Sequence, residues 1–223
     1  MFKIIGLSLL ALACSAVTAQ PTKILLIRHG ETDWNVEKRS TGRVDIALNA
    51  LGKEQAVAVA KELKERYPEI RGFYSSDLKR AMETAQTAAK LFNEKSVIAV
   101  AALRELDSGE GTGLTAKEII DRYGAKQEQM QRENPHLLAR WDFTAVPGQE
   151  TYNQVLARVK PAIIELAEKH AGETIALFAH SAVIRLIVLD ALQSKDDHYK
   201  IPNCGIIELT YESEKEMPFH LVR

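Results

Sequence analysis

The chain is poor in cysteine: two in 223 residues, too few for a disulfide framework. It has no surplus of either charge, since 29 Lys and Arg face 30 Asp and Glu for a net −1. That balance excludes a polybasic nucleic-acid coat and an acidic disordered tail, and it makes any cationic site a local feature. Aromatic residues are only 6%, and 12 Gly with 7 Pro exclude a collagen-like or Pro/Gly-rich array. Past the N-terminal segment, no apolar run is long enough to span a bilayer. What remains is ordinary globular material, 46% hydrophobic and 26% charged, with ample length for a core.

The first residues carry one cation, Lys3, ahead of a short apolar run to Ala13, and small residues follow from Cys14 to Ala19. This reads as a secretory signal over residues 1–19, cut after Val17-Thr18-Ala19, with the globular domain at 20–223. A second reading is a bacterial lipoprotein signal with Cys14 lipidated, which Ala13 suits and Ala11 suits less. Both place the domain in the periplasm or outside the cell. With the first, Cys204 is the lone remaining thiol.

From Lys23 onward, short β-branched runs alternate with amphipathic stretches. Lys23–Ile27, Gly72–Ser75, Val97–Val100, Thr174–Phe178 and Cys204–Tyr211 read as strands, with Phe219–Val222 at an edge. The spacing predicts helices over Leu51–Arg66 (capped by Asn49), Leu78–Phe92, Leu114–Arg132, Tyr152–His170 (bent at Pro161) and Val183–Leu192. Such alternation implies one α/β domain, a three-layer α/β/α sandwich around a mostly parallel central sheet. The polar stretch Gln127–Gly148 is the expected insertion or lid.

In this architecture, chemistry collects at the carboxyl ends of the strands. Those ends are Arg28-His29-Gly30, Ser75-Ser76-Asp77 with Arg80 close behind, Leu103-Arg104-Glu105, and Ala179-His180-Ser181. Clustered cations repel and need a compensating anion. The forked donors of Arg28 and Arg80 match a phosphate, and a neighbouring histidine can attack or donate. A phosphoryl group satisfies every member at once, because its transition state spreads charge over oxygens that guanidinium donors reach.

Leu26–Asn35, with Arg28-His29-Gly30-Glu31-Thr32 at its heart, resembles the signature of the histidine phosphatase superfamily, phosphoglycerate mutase-like branch. Further matches follow in order: Asp45–Leu48 with Gly52, Ser75–Ala81 with Thr84-Ala85, Leu103-Arg104-Glu105, Pro147–Thr151, His180 with Val183-Ile184-Arg185, and Pro202-Asn203. The resemblance implies a phosphoglycerate mutase-like fold and His29 as the nucleophile forming a phosphohistidine. It implies that Arg28, Arg80 and His180 hold the phosphoryl oxygens and that Glu105 protonates the leaving oxygen. Asn35, Thr41, Gly42 and Ser181 are candidates for substrate contact. No metal or other cofactor is expected, because arginines supply the charge a metal otherwise would. The expected partner is a small phosphorylated molecule, with no nucleic acid and no membrane span.

Phosphate-ester hydrolysis is the favoured reaction, with mutase-type phosphoryl transfer as the alternative. Mutases follow the glutamate with Arg-His-Tyr, whereas Leu106-Asp107-Ser108 follows Glu105, and Gln127–Gly148 lacks the mutases' Arg pair. The chain also departs from the family at Ser181, at Arg43 and in the loop Ser108–Gly113. Two other classes stay open: a serine hydrolase with Ser181 on a nucleophile elbow, which Val183 fits poorly, and a non-catalytic phosphate-binding protein. Arg43 is a candidate for selecting anionic substrates, while Trp34 and Trp141 read as packing residues, with Trp141 a secondary candidate for lining the substrate mouth. Glu150 and Thr151 read as a helix start, Cys204 as an inert thiol inside a strand, and His136, His170, His198 and His220 as surface residues.

Overall fold

The structure, a computed structural model, describes residues 20–94, 96–196, 199–213 and 215–222. The expected signal segment 1–19, with Cys14, and His198 lie outside the described residues. The α-helices and strands of the described residues are, in order, β1 (Thr22–Arg28), α1 (Asp33–Val36), α2 (Ala50–Arg66), β2 (Ile70–Ser75), α3 (Lys79–Leu91), β3 (Ile98–Ala99), α4 (Ala116–Glu133), α5 (Tyr152–Lys169), β4 (Thr174–Ala179), α6 (Ser181–Ala191), β5 (Ile206–Tyr211) and β6 (Phe219–Leu221).

The strands form one sheet in the order β3-β2-β4-β1-β5-β6. The first four are parallel to one another, and β5 and β6 add antiparallel pairings at one edge. Alternate side chains of β1 enter opposite layers. Leu25 and Ile27 pack with Val59 and Leu63 of α2 and Ala85 and Ala88 of α3. Ile24 and Leu26 pack with Val155 and Val159 of α5 and Ile184 and Ile187 of α6. Full burial of each such aliphatic side chain contributes about 1.5–3 kcal/mol, so a strand buried on both faces anchors the sandwich. The three-layer α/β/α sandwich is thus observed.

Several boundaries differ from the expectation. The third strand shrinks to Ile98–Ala99, at the sheet edge. The fifth begins at Ile206, because Cys204 adopts φ 57°, which breaks the extended backbone, although its N–H still donates to the Arg28 carbonyl at 3.1 Å. Cys204 is therefore a half-buried turn residue, its thiol pushed up to about 12 by burial, not a strand residue. Asn49 and Thr151 cap α2 and α5 through their side chains, and α5 runs through Pro161 as one element.

Candidate active site

Register brings the two histidines together. The parallel pairing of β1 with β4 sets Arg28 opposite Ala179, so His29 and His180 leave the sheet side by side. The His29 N–H extends the ladder to the Ala179 carbonyl at 3.0 Å. Their ring centroids lie 5.2 Å apart. On the other side of β4, Ser75 of β2 is level with Phe178, which delivers the start of α3, and with it Arg80, to the same end.

The loop after His29 is held close to α2. A Cβ on Gly30 would stand 2.4 Å from the Gly52 carbonyl oxygen, so only the absence of a side chain permits the approach. The Gly30 N–H donates to Thr84 Oγ1 at 3.1 Å. His29 Nδ1 lies 2.7 Å from the Gly30 carbonyl, which can only accept. Nδ1 therefore carries the proton and Nε2 the lone pair.

Arg80 is 1% exposed, a buried cation with no carboxylate in hydrogen-bond contact among the described residues. Its Nη1 and Nη2 donate to the carbonyls of Val44 at 2.8 Å and Gly42 at 2.9 Å. Arg28 donates through Nη1 to the Ile201 carbonyl at 2.7 Å. The Nε atoms of both arginines, and both ring nitrogens of His180, are buried without a hydrogen-bond partner among the described residues. Buried orphan donors are costly and call for a ligand. Burial pulls both arginines down from the usual guanidinium range, opposed first by the Glu105 charge. Burial also drives His29 and His180 well below the ordinary imidazole range, and the Arg80 charge adds to it in each case. Both rings are neutral, and the fixed positive charge sits on the arginines.

These groups meet a cleft of about 500 Å³. Arg28, His29, Asn35, Thr41, Gly42, Arg80 and Glu105 line it. His180 is fully buried, its ring beside that of His29. Asn35 reaches the cleft with its amide oxygen already engaged by the Thr32 N–H and Asn203 Nδ2, at 3.1 Å each. Gly42 contributes its carbonyl to Arg80, at φ 49° and in close approach to Ser108. Ser181 does not line the cleft. It opens α6, and Ala182 and Arg185 of that helix face the opening instead.

Other expectations are corrected. Arg43 turns away from the mouth to pair with Glu150 at 2.9 Å and Asp107 at 3.6 Å. Trp141 keeps its packing role, a core residue set edge-on against Tyr152, and does not take up the secondary one at the mouth. His170 is no free surface residue, being bonded to Tyr74 at 2.7 Å and Glu173 at 2.5 Å. The stretch 127–148 does supply part of the wall, through Gln127, Arg140, Thr144 and Val146.

Sequence reasoning foresaw the helix α4 but missed its place at the cleft. None of its described residues is buried, and Ala116, Ile119, Ile120, Tyr123 and Gln127 border the cleft at helical spacing. An apolar stripe was legible there, but not that it faces an opening rather than the core. Arg158 was missed too. It sits between Val155 and Val159, on the buried side of α5, where a charge needs a partner.

Known proteins resemble this chain in sequence and in fold. A metal-independent phosphoserine phosphatase of Arabidopsis thaliana is 37% identical over 179 residues, covering 80% of this chain and 72% of that protein. A 2,3-bisphosphoglycerate-dependent phosphoglycerate mutase of Bartonella henselae is 30% identical, covering 78% of this chain and 84% of the mutase. Among solved structures, a mycobacterial glucosyl-3-phosphoglycerate phosphatase complexed with VO3 superposes with a TM-score of 0.73 at 28% identity, over 90% of this chain and 96% of that one. The profile of the histidine phosphatase superfamily (branch 1) matches residues 24–221, and this chain belongs to that superfamily.

Proposed function

We propose that this protein is an exported, metal-independent phosphomonoesterase that works through a phosphohistidine on His29. The observation that carries the reading is the set of orphaned donors, Arg28 Nε, Arg80 Nε and the His180 ring, gathered around a neutral histidine at a cleft. A phosphoryl group would use all of them.

In the first half-reaction, His29 Nε2 attacks phosphorus, the N–P bond forms, and the P–O bond to the leaving alcohol breaks. Glu105 gives its proton to that oxygen. Arg28 and Arg80 neutralise charge on the oxygens that remain, which is where preorganised donors lower the barrier most. In the second half, Glu105 as carboxylate takes a proton from water, water oxygen bonds to phosphorus, and the N–P bond breaks. His29 departs neutral, as its environment favours.

Hydrolysis is preferred over mutase chemistry because Arg39 and Arg185, two further cations at the cleft, already bond protein partners. Arg39 donates to Glu37 and to the Gly113 carbonyl at 2.7 Å each, and Arg185 to Tyr152 at 3.1 Å. The phosphatases among its relatives support the same choice, although a mutase is among them as well. Export rests on the N-terminal segment. Intact mass of the secreted form distinguishes a chain starting at Gln20 from one lipidated at Cys14.

Phosphate release from a panel of phosphomonoesters, with chelator present, tests the enzyme. Wild type turns over and yields an acid-labile phosphoprotein, whereas His29→Ala loses on the order of 10⁴-fold in kcat and is not labelled. Equal turnover by His29→Ala removes the nucleophile, and strict dependence on a divalent metal removes the mechanism. Transfer to an added phosphoglycerate in place of release restores the mutase reading.

A further inference from the structure

We infer that Arg158 is the positioning residue for Glu105, an assignment that rests on the acid–base role proposed for that glutamate. Arg158 divides its guanidinium between the segment that carries Glu105 and the carboxylate of Glu150. Nη1 donates to the carbonyls of Ala102 at 2.6 Å and Arg104 at 2.8 Å, and Nη2 donates to that of Glu105 itself at 3.1 Å. Nε and Nη2 each reach one carboxylate oxygen of Glu150 at 2.9 Å. Five acceptors converge on one planar fork, a geometry that a lysine ammonium cannot reproduce.

Glu150 closes the clamp from the other side. Its Oε2 accepts the Asp107 N–H and its own N–H donates to the Asp107 carbonyl, both at 2.9 Å, so the backbone is held before and after Glu105. Burial works to raise the Glu150 carboxyl, but Arg158, the Asp107 N–H and Arg43 outweigh it and hold the group below the usual carboxylate range. Arg43 belongs to the same loop as Gly42 and Val44, whose carbonyls hold Arg80. One hydrogen-bonded chain thus links the phosphate-binding arginine to the placement of the proton donor.

The Glu105 side chain is lightly restrained by comparison. It accepts the N–H of Leu106, its neighbour, at 2.9 Å and that of Ala182 at 3.4 Å. Its reach into the cleft is set by the backbone, and Arg158 sets the backbone.

The test is a ratio. Protonation of the leaving oxygen matters for an alkyl phosphate, whose alkoxide is a poor leaving group, and little for 4-nitrophenyl phosphate. In the full chain, Arg158→Lys should lower kcat on a primary alkyl phosphate about 10²-fold, the scale of a misplaced general acid, and on 4-nitrophenyl phosphate less than about tenfold. Glu150→Gln should shift the ratio in the same direction, and it serves if the lysine variant does not fold. Equal losses on both esters, or none on either, overturn the assignment. Glu105→Gln run alongside separates the failures: no split there removes the acid role itself, whereas a split there without one in the Arg158 and Glu150 variants removes only the positioning role.

Discussion

Arg80 Nη2 donates to the carbonyl of Gly42 at 2.9 Å, joining the first turn of α3 to a loop that also borders the cleft. Together with the bond to Val44 at 2.8 Å, this fixes the guanidinium plane and leaves Nε without a protein partner. Arg80→Lys keeps a charge but loses the planar fork. It should reduce kcat/KM by roughly 10²-fold, the scale of one lost donor to developing charge, and weaken competitive inhibition by inorganic phosphate. Unchanged phosphate inhibition in this variant would place the anion elsewhere.

The two histidines make stability depend on pH. Folded, His29 and His180 stay neutral well below the ordinary imidazole range, through burial first and the Arg80 charge second. Unfolded, each takes up a proton near its usual value of about 6.5. The unfolded chain then binds more protons, so stability is intact above that value and falls as pH drops towards the folded pKa values. Each ring contributes a slope of up to about 1.4 kcal/mol per pH unit. Urea midpoints should decline on acidification, and a His29→Gln/His180→Gln double variant should decline less steeply. Parallel slopes would assign the effect to other groups.

Alanine for glycine inside a helix ordinarily stabilises by about 1 kcal/mol. Gly52 in α2 should show the opposite sign, because its Cβ would stand 2.1 Å from the Glu31 carbonyl oxygen. Gly52→Ala forces the loop after His29 off the helix. We expect a loss of roughly 1–3 kcal/mol by denaturant titration, the cost of an overpacked contact, together with reduced turnover.

Ile120 presents the converse case. It is 66% exposed, on a helix without buried residues, and borders the cleft. Ile120→Ser should leave the unfolding free energy nearly unchanged, within about 0.5 kcal/mol, while raising KM for esters with apolar leaving groups more than for polar ones. A large drop in stability with no change in selectivity would make α4 a packing element after all.

The strands and helices were legible from period and composition, because a strand buried on both faces must be continuously apolar and a helix cap must hydrogen-bond. Arg28, His29, Arg80, Glu105 and His180 could be gathered because each follows the carboxyl end of a strand, where open α/β sheets place ligands. Arg43 and His170 were misjudged for one common reason. A residue type shows what a side chain can bond to, not which neighbour intercepts it first.

By itself, the amino-acid sequence determined the layered α/β architecture, the neutral cleft-side imidazole as a chemical possibility, and the membership that its ordered motifs mark. Tertiary structure alone decided that β4 lies between β1 and β2, so that His29 and His180 face each other with Arg80 beside them. It alone decided that Arg43 serves Glu150 and that Arg158 serves the loop of Glu105. Local bonds depend on neighbours along the chain, which the sequence spells out. Which distant donors are satisfied and which are left for a ligand depends on contacts made only when the whole chain has closed.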